Sequence, residues 1–371
     1  MCLDVPYPPD YGGVFDLFYK IKHLHAAGIR IYLHCFEYGR GRQVALEAYC
    51  EQVHYYERNR SFINFFLRLP YIVSSRKNKK LLHNLNQQDA PVLLEGIHCT
   101  YYLSSGKLTA KDVLVRLHNV EYEYYERLAI SAHTFFKKLF FIAESRKLKR
   151  YEKQLSAKAR FLAVSVRDER VYKDVLQARH IEYLPVFLPF DKITSLPGKG
   201  DYCLYHGNLS VPENEKAVKW LLEHVFPINN MQVVIAGKNP SAGLKKLIGK
   251  NSFAKMMANP SYEDMNELIQ NAHIHLLPSF NSTGIKIKLL HALFQGRFVI
   301  TNDTALGGTG LEALCRMAFD TIEFRNAIVE ISEQSFTQND IDKRSVVLHD
   351  QFNNEVNAQR LLSFFEQNQN L

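Results

Sequence analysis

Cysteine is scarce and scattered: six residues, at positions 2, 35, 50, 99, 203 and 315, form no CxxC pair and no close Cys/His cluster. That spacing argues against a disulfide scaffold and a structural zinc site and points to a reducing compartment, the cytoplasm. No apolar run approaches the ~20 residues that span a bilayer, and no basic start followed by a short apolar stretch marks a leader. Solenoid repeats and low-complexity tracts are missing as well. So is GxGxxG, and no acidic residue stands where a dinucleotide ribose would want one, which disfavours a Rossmann dehydrogenase. What remains is an ordinary globular composition, 46% apolar and 23% charged, over 371 residues. Wholesale disorder is ruled out, and the length favours two domains.

Charge is divided unevenly. Residues 1–188 hold 29 Lys+Arg against 19 Asp+Glu, whereas residues 189–371 hold 17 against 19. All of the basic excess therefore lies in the first half, which suits contact with something anionic. Two stretches concentrate it: 58–80 (RNRSFINFFLRLPYIVSSRKNKK) and 134–160 (TFFKKLFFIAESRKLKRYEKQLSAKAR) mix Lys/Arg with large apolar residues. A core helix with a solvated basic face accounts for either one singly. Together they favour peripheral contact with an anionic membrane surface, here the inner face of the plasma membrane. Nucleic acid is set aside, because no helix-turn-helix, zinc-finger, RRM or KH signature accompanies the charge.

Both halves alternate short β-rich runs with helical patterns, the rhythm of doubly wound α/β domains. Strands are expected at 29–36, 91–97, 113–118 and 161–165, then at 202–206, 231–236, 273–277 and 298–301. Helices are expected along the stripe Val14, Leu17, Phe18, Ile21 and Leu24, and over 216–225 and 284–294. The segment 187–201 carries two prolines and two glycines, so the boundary falls there: an N-terminal domain of 1–188 and a C-terminal domain of 189–353. Only Met1–Val5 precedes the turn-rich PYPPDYGG, so the first strand is either very short or begins upstream of this Met1.

Several segments carry chemistry. Gly12 and Gly13 lead into the first helix, whose free N–H groups suit a phosphate or sugar hydroxyl; the same geometry also serves a ligand-free turn. RLHNVEYEYYER (116–127) follows a strand, which places His118 and Asn119 at its C-terminal end, where open α/β sheets bind ligands. His118 can donate to a sugar hydroxyl or move a proton, and Glu121 with Tyr122, Tyr124 and Tyr125 can line a carbohydrate or lipid surface; a lone histidine is as often a satisfied loop partner. In the second half, YHGNLSVPENEKAVKWLLE (205–223) and VVIAGKNP (233–240) put Gly207 and Gly237 at strand ends. In LLPSFNSTGIKIKLLHALFQGRFVITND (276–303), Gly284 opens a helix with Lys286 and Lys288 in its first turns. Backbone N–H groups and two ammonium groups there can neutralise a diphosphate, although two solvated lysines would read the same way.

In this order the motifs resemble the retaining GT-B glycosyltransferases of the large family 4, the glycosyl transferases group 1. The resemblance covers most of the chain and rests on PYPPDYGG, LHNVEYEYYERL, YHGNLSVPENEKAVKWLLE and PSFNSTGIKIKLLHALFQGRFVITND. It implies an α/β GT-B fold of two Rossmann-like, doubly wound domains facing a cleft, with the C-terminal helix (about 354–367) packing back on the first. It also implies a nucleotide-diphosphate sugar as donor substrate, with no cofactor and no metal, and a glycan or lipid-linked acceptor. By motif position, His118, Lys288 and Lys286 would be catalytic. Gly12, Gly13, Gly207, Gly237, Tyr262, Thr283, Gly284 and His291 would bind the donor, and Asn119 and Glu121 would face the acceptor. Transfer would retain configuration through front-face attack, with no protein nucleophile and with phosphate stabilisation supplying much of the catalysis. The product would be a cell-surface polysaccharide or glycolipid.

Departures from the family pattern matter. Many members carry two glutamates, with seven residues between them, where this chain has Thr283 and His291, and the second usually binds the ribose. A neutral imidazole accepts one hydrogen bond where a carboxylate accepts several. No arginine follows Gly207 at the usual phosphate position; Lys216 or Lys219 are the substitutes in reach. Two alternatives follow: a GT-B-like binding protein that has lost catalysis, and a GT-B-fold sugar-nucleotide epimerase.

Overall fold

The computed structural model describes residues 1–9, 12–132, 134–228, 231–281 and 284–366. The chain divides into two compact units, Met1–Pro189 with Phe352–Leu371, and Phe190–Gln351.

The first unit contains β1 (Tyr32–Glu37), β2 (Gln52–Glu57), β3 (Val92–Glu95), β4 (Val113–Leu117), β5 (Arg160–Ala163) and β6 (His180–Tyr183). β1 pairs with β2, and β3 to β6 pair in sequence order, all parallel. Residues 1–3 fill the place between β1 and β3. Cys2 bridges Cys35 in parallel, its N–H donates to His34 O at 2.7 Å, and Glu95 N–H donates to Met1 O at 2.9 Å. These residues stand where the chain reverses direction across the sheet. Ligands bind at the carboxyl ends of the strands beside such a reversal.

The following helix, Gly12–Ala26, begins two residues earlier than its apolar stripe and buries Val14, Leu17, Phe18 and Ile21. The helix Asn354–Glu366 belongs to this unit: Ala358, Leu361 and Phe364 pack with Leu114, Leu162, Leu184 and Phe187. Asn354 pins the chain to its neighbour, accepting from Leu188 N–H at 3.0 Å and donating to Leu188 O at 2.8 Å.

The second unit contains β7 (Tyr202–Asn208), β8 (Gln232–Lys238), β9 (Ala254–Ala258), β10 (Ile274–Leu276), β11 (Phe298–Thr301) and β12 (Arg316–Met317). They form one parallel sheet in the order β9-β8-β7-β10-β11-β12. Numbered within the unit this is 3-2-1-4-5-6, the doubly wound order, with its reversal between β7 and β10. Cys203, Tyr205, Val233, Ile235, Ile274 and Ile300 supply one buried face.

Two helices differ from the sequence reading. The helix expected over 284–294 runs Ile287–Gln295. Gly284 has φ +62°, outside the helical region, and Lys286 is the extended N-cap with φ −92° and ψ 92°. Only Lys288 therefore lies in the first turn, and Gly284 makes a bend ahead of the helix instead of opening it. The helix expected over 216–225 starts earlier, at Pro212, whose fixed φ suits a first helical position.

Candidate functional site

At the β7–β10 reversal three side chains meet. Lys288 Nζ donates to Tyr205 OH at 2.8 Å and to Asn214 Oδ1 at 2.9 Å, and Tyr205 OH donates to the same Asn214 oxygen at 3.1 Å. Asn214 is oriented in turn by donating to Asn208 O at 2.8 Å. Among the described residues both partners of the ammonium are neutral oxygens. Burial, helped by Lys286 and opposed by Glu213, pushes Lys288 down to about 7. A cation held in that state gains most from an anionic ligand, because the ligand supplies the countercharge the protein withholds.

Two glycines shape the floor. A Cβ on Gly207 would lie 3.4 Å from Asn214 Nδ2 and 3.6 Å from Lys288 Cδ, so glycine keeps the approach to this group open. Gly237 faces Gly207 across the β7–β8 ladder, and a Cβ there would come within 1.9 Å of Gly207 O. Backbone packing thus accounts for Gly237 by itself. Beside them, Asn281 Nδ2 donates to both carboxylate oxygens of Glu213, at 2.8 and 3.0 Å, tying the loop after β10 to the helix Pro212–Trp220. Thr283 lies outside the described residues.

His291 is committed within the protein. Its Nε2 lies 3.0 Å from Asn266 Oδ1 and 3.1 Å from Gln295 Oε1, and its ring packs 4.7 Å from that of Phe190. Burial pushes it down to about 4, so the ring is neutral, with Nε2 as the donor and Nδ1 left to accept. Tyr262 is the first residue of the helix Tyr262–Asn271 and half exposed, beyond the end of β9.

The first unit carries a buried charge network at its own carboxyl edge. Asp16 accepts from Lys20 Nζ at 2.9 Å, from Arg116 Nη2 at 3.2 Å and from Phe187 N–H at 2.8 Å. Glu95 accepts from Lys20 at 3.0 Å and lies 3.0 Å from His118 Nε2, while His118 Nδ1 stands 4.0 Å from Asp16. Burial alone would raise both carboxyls, but Arg116 and Lys20 hold Asp16 well below the usual range, and Lys20 and His118 lower Glu95. Among the described residues Asp16, Glu95 and His118 bring ligand atoms within 4.8 Å of one another, as a metal site would. The Lys20 ammonium already bridges both carboxylates, so this set fits an internal ion-pair network better than a divalent cation. His118 thus stands at the strand end as expected, with its Nε2 turned onto Glu95. Gly12 and Gly13 form the first turn of their helix, and Gly13 is exposed.

Glu121 is not on an open surface. It is 3% exposed, and its N–H and that of Tyr122 donate to the Glu152 carboxylate, each at 3.0 Å. Tyr122 is buried too, while Asn119 caps the group by bonding the Glu121 side chain. The helix start folds inward here because two of its unsatisfied N–H groups take Glu152 as their acceptor. Burial and the Glu152 charge push Glu121 up to about 8 from an ordinary 4.5. A carboxyl that stays protonated in the folded chain but ionises when unfolded loses stability as pH rises from about 4.5 to about 8. Glu121→Gln is therefore expected to stabilise the protein at pH 8 by about 2 kcal/mol, roughly 4–8 °C in Tm. At pH 5 the two proteins should melt almost together. Equal differences at both pH values in a thermal scan would remove this account of Glu121.

Sequence reading missed Tyr205, Asn214, Asp16, Lys20, Glu95 and Arg116. Signals for some of them were present. Glu95 and Arg116 are lone charges in apolar strands, VLLE and VLVRL, and the register pairs them directly. Asp16 and Lys20 sit four apart on a helix whose neighbouring positions are buried.

Known proteins share this architecture. Residues 200–334 match the family model described as Glycosyl transferases group 1. A Klebsiella pneumoniae protein described as an uncharacterized 44.6 kDa protein in the cps region is 29% identical over 377 residues, covering 92% of this chain and 96% of that one. Sucrose-phosphate synthase from Thermosynechococcus elongatus superposes with a TM-score of 0.71 at 15% identity, over 99% of this chain and 98% of that one. WaaG, a glycosyltransferase involved in lipopolysaccharide biosynthesis, gives 0.61 at 13% identity, over 98% of each chain. Anabaena HepE, in complex with UDP and glucose, gives 0.63 at 12%, over 98% of this chain and 99% of that one.

Proposed function

We propose that this chain, a GT-B protein whose second unit is a glycosyl transferases group 1 domain, moves a sugar from a nucleotide-diphosphate donor to a glycan or lipid-linked acceptor. The observation that carries the reading is the Lys288–Tyr205–Asn214 group at the β7–β10 reversal, with its poorly compensated ammonium beside the bare backbone of Gly207. A diphosphate is the ligand such a group is built to take, with Lys286 adding a second positive charge. The nucleoside end then lies toward Tyr262, and His291 reads the ribose through the one acceptor left to it. A carboxylate at that position would accept several hydrogen bonds, so the ribose is held less tightly here.

Chemistry follows from charge. When the glycosidic bond to the diphosphate breaks, negative charge grows on the leaving phosphate, and Lys288 with the adjacent N–H groups stabilises it. The acceptor hydroxyl attacks from the same face through an oxocarbenium-like state and gives its proton to the departing phosphate oxygen, so configuration is retained without a protein nucleophile. Glu95 holds His118 at the end of β4, and this reading assigns the ring a hydrogen bond to a sugar hydroxyl. The cps-region relative and the lipopolysaccharide enzyme WaaG support a cell-surface polysaccharide or glycolipid as the product class.

Thermal unfolding with millimolar UDP-, GDP-, ADP- and CMP-sugars tests the donor site directly. A donor at 100 times its Kd adds about 2.7 kcal/mol, which moves Tm clearly. One nucleotide class should stand out, and the anomeric configuration of the product then tests retention. A folded protein that responds to none of the four overturns the donor reading.

A further inference from the structure

Between residues 58 and 78 the chain makes two short helical pieces, Ile63–Phe66 and Tyr71–Ser74, instead of one long element. The first is clamped to the helix Phe135–Ser156. The Phe65 ring packs 5.4 Å from Phe140 and stacks 4.4 Å from Tyr71, while Lys147 Nζ donates to Phe65 O at 2.9 Å. This clamp brings together side chains that point away from the core. Phe62, Ile63 and Leu67 are 76%, 68% and 40% exposed, and Phe135, Phe136 and Leu139 are 70%, 83% and 48% exposed. Folding left six large apolar side chains in water on two joined elements, which is the signature of a surface that meets another phase or partner.

The charges around it specify which. Arg60, Arg68, Lys137 and Lys138 are exposed within the same two segments, and residues 58–69 and 130–143 contain no Asp or Glu. The helix start is anomalous in the same sense. Its first turn holds no acid, carries Lys137 and Lys138 instead, and receives no hydrogen bond from the Thr134 side chain. Lysines at a helix N-terminus add to the positive end of the helix dipole, an unfavourable placement in water that becomes favourable against anions. Among the described residues no helix is long and apolar enough to cross a membrane.

We infer that this face, formed by residues 60–63, 67–68 and 135–139, docks on the surface of an anionic lipid bilayer, the aromatic and aliphatic side chains entering the interface and the four cations facing headgroup phosphates. The inference does not depend on glycosyl transfer, since it concerns a separate face of the first unit.

Flotation of the full chain with vesicles of phosphatidylcholine, alone or with about 30% phosphatidylglycerol, tests it in the arrangement where anionic lipid supplies the attraction. The wild-type chain is expected to float with the anionic vesicles and not with the neutral ones. Ile63→Ser with Phe136→Ser, and separately Lys137→Glu with Lys138→Glu, should each weaken partitioning about tenfold or more. Because these side chains are exposed, neither variant should melt below the wild-type Tm. Failure of the wild-type chain to bind anionic vesicles, or undiminished binding by both variants, overturns the proposal. A dimer in light scattering that Ile63→Ser with Phe136→Ser dissolves would also overturn it, by assigning the face to a second copy.

Discussion

Replacing Lys288 by methionine is expected to lower sugar transfer by about 10²–10³-fold, the range seen when one preorganised donor to a developing charge is removed. Methionine keeps the length of the stem and removes the charge. The fold should survive, because among the described residues the ammonium bonds Tyr205 OH and Asn214 Oδ1, which still bond each other at 3.1 Å. The free protein should be no less stable than wild type. A lysine pushed down to about 7 by burial is harder to keep charged when folded than when unfolded. Its contribution is therefore lost as pH falls from 10.5 toward 7, and methionine escapes that cost. The same shift predicts the pH dependence of donor binding. The bound diphosphate favours the ammonium, so wild-type affinity should fall as pH rises above about 7, approaching tenfold per pH unit for a single linked proton. Lys288→Met should flatten that slope between pH 6 and 9 in binding titrations. Transfer within threefold of wild type, or an unaltered slope, would remove Lys288 from the site.

Arg116→Met is expected to be the most damaging single change to stability, at about 3–5 kcal/mol. Arg116 is fully buried; its guanidinium donates to Asp16, to Leu184 O and, at 2.8 Å, to Pro185 O. Methionine fills much of the volume but leaves Asp16 with Lys20 and the Phe187 N–H as its remaining donors, and it orphans two buried carbonyls. A unit of this size should lose about 10 °C or more in Tm. Asp16→Asn added to Arg116→Met should cost less than the sum of the two single changes, because each single change already breaks the same pair. A loss below about 1 kcal/mol in denaturant unfolding would show that the network is replaceable.

The strands read from sequence and those missed divide along a physical line. β1, β3, β4, β5, β7, β8, β10 and β11 coincide with expected runs, and all of them lie inside a sheet. β2, β6, β9 and β12 escaped, and these are the outermost strands once residues 1–3 join β1 to β3. An interior strand is covered on both faces and reads as a continuous apolar run, whereas an edge strand meets water and reads as ordinary polar sequence. β2 (QVHYYE) and β9 (AKMMA) show it: each leaves most of its side chains partly or fully exposed.

Sequence by itself determined the two α/β units, the interior strands, the loops at their carboxyl ends, and the basic, aromatic stretches of the first half. Those are local properties: an apolar run, a glycine turn or a charge excess lies within a few residues. Tertiary structure alone decided which charges meet. Arg116 and Asp16 are 100 residues apart, and Lys288 and Tyr205 are 83 apart. It also decided that Glu121 turns inward to Glu152 while Phe136 turns out to water. The energy of a charge or an aromatic ring depends on what surrounds it, and no window of sequence holds the surroundings that a distant strand or helix supplies.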